Sequence, residues 1–247
     1  MADTRYFHLY QDLLNQKSHI LIAGATGSGK SVLLNALIHT ALIDGKNKLV
    51  LLDPKRVELD QYRDLPQCIR YADCPESMVQ ALQWVLAETE RRFSEMKKNR
   101  QKEYTGTRIL VVIDELADLM LTQRKEVQPV LQRILQLSRA ASITVLMATQ
   151  VPLAKVIPTE LKANADIRIG LRTACAQDSR NIVGVKGCED LPNPRVEHRA
   201  QGIIRNGSEI TLWNLPTYTQ EEHEFLLNYR RREKPQRRGI LQAIFGF

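Results

Sequence analysis

The chain has 247 residues, 43% hydrophobic and 26% charged, which excludes wholesale disorder and allows one sizeable α/β core. With 35 Lys and Arg against 28 Asp and Glu, the net charge is +7, which points to an anionic partner without naming one. No apolar stretch reaches the roughly 18 residues of a transmembrane helix.

Met1-Ala2-Asp3-Thr4-Arg5 lacks the apolar centre of a signal peptide, so a cytoplasmic chain is expected. Cys68, Cys74, Cys175 and Cys188 fall into no metal-ligand spacing and read as reduced thiols. After a lead-in over residues 1–18 comes the apolar run Ile20-Leu21-Ile22-Ala23. Gly24-Ala25-Thr26-Gly27-Ser28-Gly29-Lys30-Ser31 then matches G-x-x-x-x-G-K-[ST] in full, and Val32, Leu33, Leu34, Ala36, Leu37 and Ile38 continue it as a helix. A chance glycine-rich turn would lack that strand and helix. The glycines let backbone N–H groups turn inward around a phosphate chain, and the helix start adds its positive dipole end. ATP is therefore expected over Ala25, Thr26, Gly27, Ser28, Gly29, Lys30, Ser31 and Val32. Lys30 is expected to reach the β- and γ-phosphates, and the Ser31 hydroxyl to hold Mg²⁺.

Lys48-Leu49-Val50-Leu51-Leu52-Asp53 reads as the next strand, stopped by Pro54. Residues 76–99 carry Met78, Val79, Leu82, Val85, Leu86, Thr89, Phe93 and Met96 at helical spacing and end in a basic, solvated face. Arg108-Ile109-Leu110-Val111-Val112-Ile113 is an unbroken apolar run, as in a central strand covered on both sides, and it ends in Asp114 and Glu115. Asp114 is placed to hold Mg²⁺, and Glu115 to deprotonate an attacking water. The same pair would also suit a helix N-terminus on dipole grounds alone. Val127, Val130, Leu131, Ile134 and Leu135 mark a helix that Arg139 closes. An arginine there complements the dipole, and it is also where a ring ATPase can present a finger to its neighbour's nucleotide. Ile143-Thr144-Val145-Leu146-Met147-Ala148-Thr149 ends in Gln150, an amide able to touch a γ-phosphate or a lytic water, or to bond local backbone. A strand over 165–171 and a short helix over 177–183 follow, the latter ended by Gly184 and Gly187. Strands over 202–205 and 209–213 flank the hairpin signal Asn206-Gly207. A helix over 220–232 leads into a tail with Arg230, Arg231, Arg232, Lys234, Arg237 and Arg238. Alternating strands and helices predict an α/β fold with a mainly parallel sheet flanked by helices, plus a C-terminal β-hairpin and a basic helical tail. The expected organisation is 1–18 N-terminal lead-in, 19–216 ATPase domain and 217–247 C-terminal helix and basic tail.

The phosphate loop, Leu52-Asp53-Pro54-Lys55 with Glu58-Leu59 and Tyr62, Asp114-Glu115-Leu116-Ala117-Asp118-Leu119, and Ser138-Arg139-Ala140-Ala141 leading to Ala148-Thr149-Gln150 recur together. In that combination the chain resembles the FtsK/SpoIIIE DNA translocases, RecA-like P-loop motors that act as rings on double-stranded DNA. Smaller echoes are Glu90-Arg91-Arg92-Phe93, Lys162-Ala163-Asn164 and Asp178-Ser179-Arg180. By that resemblance Lys30, Ser31, Asp114 and Glu115 keep the roles read above, and Arg139 matches the family's intersubunit arginine finger. It also implies that Arg180 and the loop after Gln150 face DNA. Two positions depart from the family pattern: Val151 stands where an Arg is usual, and Ala176 where a Lys is frequent. Lys155, Lys162, Arg172 and Arg180 are the candidate DNA contacts, with Arg168 as a further possibility. A chain of this length is what a short member from a plasmid, phage or integrative element would have, or an excised motor.

The expected function is thus an ATP-hydrolysing double-stranded DNA translocase working as a homo-oligomeric, hexameric ring. Phosphate contacts would make it largely indifferent to sequence. No aromatic residue lies between Val151 and Arg180, which disfavours single-strand binding by stacking. A conjugative-transfer coupling ATPase and a type VII secretion-type protein-export ATPase are alternatives on the same motor. A nucleotide-gated binding module is disfavoured by the intact Lys30, Asp114 and Glu115.

Overall fold

A strand buried on both faces has no solvent side on which polar residues could alternate, and the central strands of this chain have none. The structure, a computed structural model, describes residues 5–43, 45–197 and 200–215 together with Glu224 and Asn228. In chain order the elements are α1 (Arg5–Asn15), β1 (Ile20–Ala23), α2 (Lys30–Ile43), β2 (Asn47–Leu52), β3 (Cys68–Ala72), α3 (Pro75–Lys98), β4 (Arg108–Ile113), α4 (Leu116–Thr122) and α5 (Arg124–Leu137). They continue with β5 (Ile143–Thr149), α6 (Thr159–Asn164), β6 (Ile167–Gly170), α7 (Ala176–Val183), α8 (Pro194–Glu197), β7 (Ala200–Asn206) and β8 (Glu209–Leu215).

The strands form one 8-stranded sheet in the order β3-β2-β4-β5-β1-β6-β7-β8. β1 to β6 run parallel, and β7 and β8 close one side as an antiparallel hairpin. Residues alternate between two cores: Val50, Leu52, Val111, Ile113, Val145 and Met147 face α3 to α6, while Leu49, Leu51, Leu110, Val112, Leu146 and Ala148 face α1 and α2. α2 is apolar nearly all round because it is buried on both sides, by the sheet and by Tyr10 and Leu13 of α1. The segment expected as a lead-in therefore supplies a packing helix.

Three expectations are adjusted. The strand at 165–171 shortens to β6 because Ala165 closes α6 and Asp166 turns the chain. Asn206 is the last ladder residue, paired with Glu209, so the two-residue turn is Gly207-Ser208, with Gly207 at φ 60°. Arg139 lies past the end of α5, on the turn into β5, instead of closing the helix. The helix at 220–232 and the basic tail lie outside the described residues apart from Glu224 and Asn228, both helical.

Candidate active site

Parallel strands deliver their C-terminal ends to one edge, and there the loop after β1, the carboxylates after β4 and the amide after β5 meet. β5 lies between β1 and β4, so its end is the natural bridge between the other two. The loop is pinned at its root, where Gly24 N donates to Thr149 O at 3.3 Å and Ala25 N to Arg172 O at 2.8 Å. A side chain at Gly24 would meet Ser28 Oγ at 2.5 Å and Leu171 Cβ at 2.7 Å. Gly27 and Gly29 take φ of 80° and 93°, a conformation that turns successive amides the same way. Ser28 Oγ is buried and without a hydrogen-bond partner, and α2 begins at Lys30. An inward-turned cradle, an orphan hydroxyl, a lysine and a helix start form the donor set that a polyphosphate needs, so the residues fit the expected ATP.

Lys30 Nζ donates to Asp114 Oδ1 and to Asp114 O, each at 3.1 Å, and both side chains are almost fully buried. The Asp114 carboxylate and the nearby Ser31 hydroxyl are hard oxygen ligands of the kind Mg²⁺ takes. Glu115, 2% exposed, caps α4 and receives Thr149 Oγ1 at 2.6 Å, Gln150 N at 3.1 and 3.2 Å, and Lys55 Nζ at 3.2 Å. Gln150 Oε1 in turn accepts from Thr26 Oγ1 at 3.0 Å. One residue thus joins the phosphate loop to the acid pair. Burial pushes the Asp118 carboxyl up; Lys55 opposes the shift and the adjacent Glu115 and Asp114 add to it. Lys30, Ser31, Asp114, Glu115 and Gln150 are all brought to this edge.

Arg139 is not. It sits at the start of β5, and the 7-residue strand puts it about 20 Å from the phosphate loop at about 3.3 Å per residue. Its guanidinium pairs with Asp166, which precedes β6 on the same edge. The turn that carries it is braced by buried Arg92, whose Nη1 donates to Ala141 O at 2.8 Å while its guanidinium lies 4.3 Å from the Tyr104 ring. The expected DNA contacts fall on four segments: Lys155 after β5, Lys162 on α6, Arg172 directly after β6, and Arg180 on α7. Lys155, Arg172 and Arg180 are exposed, whereas Lys162 is half-buried and its pKa is lowered by burial and by Arg168. Arg168, on β6, is half-buried, and its Nη1 donates to Ile182 O at 3.4 Å at the end of α7.

Three residues at the site escape the sequence reading. Lys55 belongs to the Asp-Pro-Lys block but reveals its role only by meeting Glu115. Thr149 reads as an ordinary strand residue. Arg195, on α8, hangs over the phosphate loop: a side chain at Gly27 would meet its Nε at 2.7 Å. Asn193 caps α8 by accepting from Arg195 N at 3.2 Å, and no motif marks either residue.

A model of the FtsK/SpoIIIE family matches residues 5–108 and 98–154. A protein described as DNA translocase FtsK from Staphylococcus aureus (strain Mu50) is 38% identical over 201 residues, covering 72% of this chain and 26% of its own length. The protein of that description from Treponema pallidum is 36% identical over 245 residues, covering 85% and 31%. The chain thus spans about a quarter to a third of these relatives. Among solved structures, the pCW3 conjugation coupling protein TcpA with ATPγS superposes with TM-score 0.75 at 25% identity, covering 87% of this chain and 65% of that one. The cytoplasmic domain of the Thermomonospora curvata type VII secretion ATPase EccC does so with TM-score 0.69 at 20% identity, covering 88% and 28%, a likeness of fold alone. No helix among the described residues is long and apolar enough to cross a membrane.

Proposed function

Because the chain belongs to the FtsK/SpoIIIE family, we propose that it is an ATP-hydrolysing motor that moves double-stranded DNA as a ring of identical subunits. The observation that carries this reading is the buried Glu115 carboxylate, tied through Gln150 to the phosphate loop and lying next to the Lys30–Asp114 pair. A site that only stored nucleotide would have no use for a second buried carboxylate there.

The backbone amides of the phosphate loop and the N-terminus of α2 hold the polyphosphate, and Lys30 exchanges Asp114 for the β- and γ-oxygens. Asp114, so released, and Ser31 would hold Mg²⁺, which when bound neutralises charge on those oxygens. Glu115 accepts a proton from the attacking water as its oxygen approaches the γ-phosphorus, and the leaving product is ADP. Gln150, already bonded to Thr26, is within the loop's reach to respond when the γ-phosphate departs. Arg139 lies at the opposite sheet edge, so it serves a neighbour's nucleotide and not its own, which makes a ring, in this family's manner a hexamer, the functional unit. Exposed Lys155, Arg172 and Arg180 supply phosphate-backbone contacts without base readout. On this reading residues 19–216 form the motor and 217–247 an appended helix and basic tail.

The likeness to TcpA favours one second reading, a coupling ATPase that serves a transferred strand. ATP turnover measured with linear double-stranded DNA, with single-stranded DNA and with neither decides between them. Stimulation by the duplex above both others is expected. Stimulation by single strands alone moves the chain to the coupling class, and no turnover under any condition removes the motor reading.

A further inference from the structure

Glu115 is too well bonded to act as it stands. Oε1 accepts from Thr149 Oγ1 at 2.6 Å, Gln150 N at 3.1 Å and Ala117 N at 3.4 Å, while Oε2 accepts from Lys55 Nζ and Gln150 N, both at 3.2 Å. A carboxylate that takes a proton from water must aim a free lone pair at that water. One of these donors has to let go first.

Thr149 is the donor built to do so. A hydroxyl carries one proton, and two acceptors compete for this one: Glu115 Oε1 at 2.6 Å and Val151 O at 3.5 Å. Its oxygen meanwhile accepts from Val151 N at 3.1 Å. Both backbone groups of Val151 therefore converge on the Thr149 hydroxyl. Val151 opens the segment between β5 and α6, its side chain is 37% exposed, and the segment is anchored further on by buried Val156 and Ile157. A rotation at Val151 that brought its carbonyl nearer would strengthen the second acceptor against the first.

We propose that Thr149 is a positioning residue that holds Glu115 away from water until the segment starting at Val151 shifts, and that DNA on this segment turns the hydroxyl toward Val151 O. The inference rests on the motor reading, because it assigns the regulation of the same base. No covalent step is added; the change is a hydroxyl rotation that removes the shortest of the three hydrogen bonds to Oε1 and leaves the longer two.

Thr149→Val keeps the shape and the strand preference while deleting the donor. ATP turnover without DNA should rise about fivefold, stimulation by linear duplex DNA should fall towards unity, and KM for ATP should stay unchanged. Thr149→Ser should restore wild-type values, which a purely structural role would not ensure, and Thr149→Ala serves in the same way should the valine variant fail to fold. Wild-type basal turnover and stimulation in Thr149→Val, or turnover lost with and without DNA, overturns the relay. A wild type that hydrolyses ATP indifferently to DNA overturns it too. Hydrogen exchange supplies an arm independent of turnover: the Val151 amide should exchange faster in Thr149→Val than in wild type, and equal rates overturn the inference. A wild type that turns over no ATP fails the motor reading separately.

Discussion

Lys30 and Asp114 face each other with almost no water around them, so each is the other's main compensation for lost hydration. Lys30→Ala removes the cation that the phosphates need and also strands a buried carboxylate. Two effects are therefore expected together: loss of ATP binding, and a loss of about 3 kcal/mol of stability without nucleotide. Urea unfolding of the ligand-free variant measures the second; an unchanged midpoint would mean that Asp114 finds water or a proton and that the ion pair is dispensable. Glu115→Gln should behave differently, because it leaves the Lys30–Asp114 pair and the loop intact. ATP should still bind, while turnover falls by about 10²–10⁴-fold, the range of a lost general base. Near-wild-type hydrolysis by that variant would take the proton-accepting role away from Glu115. These residues are legible because Lys30 sits in a contiguous motif and Asp114-Glu115 ends an unbroken apolar run. Lys55, Thr149 and Arg195 are not, because only the crossing of β2, β5 and α8 over the same edge brings them there.

At the level of elements, the strands with both faces buried are readable as apolar runs, and β3 is not. Cys68-Ile69-Arg70-Tyr71-Ala72 lies at the sheet's edge with Ile69 exposed and Arg70 stacked 4.5 Å from the Trp84 ring, so neither alternation nor a run marks it. The short helices α4, α6 and α8 are likewise set by their surroundings: Glu115 caps α4 through a bond made for the site. One link between elements titrates. His19, fully buried just before β1, accepts Val145 N on Nδ1 at 3.0 Å and so ties the start of β1 to β5. Burial first, then the charge of Arg139, lowers its pKa to about 3. An unfolded His protonates near 6.5, so neutral His19 contributes fully above about pH 6.5. Below that the unfolded chain takes up the proton first, and stability falls by up to about 1.4 kcal/mol per unit until about pH 3. Chemical denaturation at pH 7, 6 and 5 should show that slope, and His19→Asn, which can still accept from Val145, should reduce it. An identical slope in the variant would assign the acid sensitivity to other groups.

For the whole molecule the sheet acts as a partition. Nucleotide-binding groups gather at the C-terminal ends of the parallel strands, whereas Arg139, Asp166 and the turn braced by Arg92 gather at the N-terminal ends. The two edges are separated by the length of β5, so no side-chain motion within one subunit closes the gap. In the proposed ring, a head-to-tail arrangement would set one subunit's Arg139 edge against the next subunit's phosphate loop and close it, since repetition of such a heterologous contact generates a ring. On that proposal Arg139 would leave Asp166 at modest cost, since both partners are substantially exposed and such a pair is worth about 0–1 kcal/mol. Sequence alone marks Arg139 as a helix-end arginine; its place opposite the site follows only from the parallel topology. Arg139→Ala should leave ATP binding by the separate subunit intact and lower turnover by about 10³-fold or more, the scale of arginines supplied in trans. Mixing Arg139→Ala with Lys30→Ala subunits sharpens the test. Neither variant alone can build a complete site, but in mixed rings the intact phosphate loop of one meets the intact arginine of the other at some interfaces. Partial turnover should return in proportion to the mixing ratio and be greatest near equal amounts. If mixed rings form by cross-linking yet stay inactive at every ratio, Arg139 does not act between subunits, and the two-edged division of labour would have to be explained by a different residue.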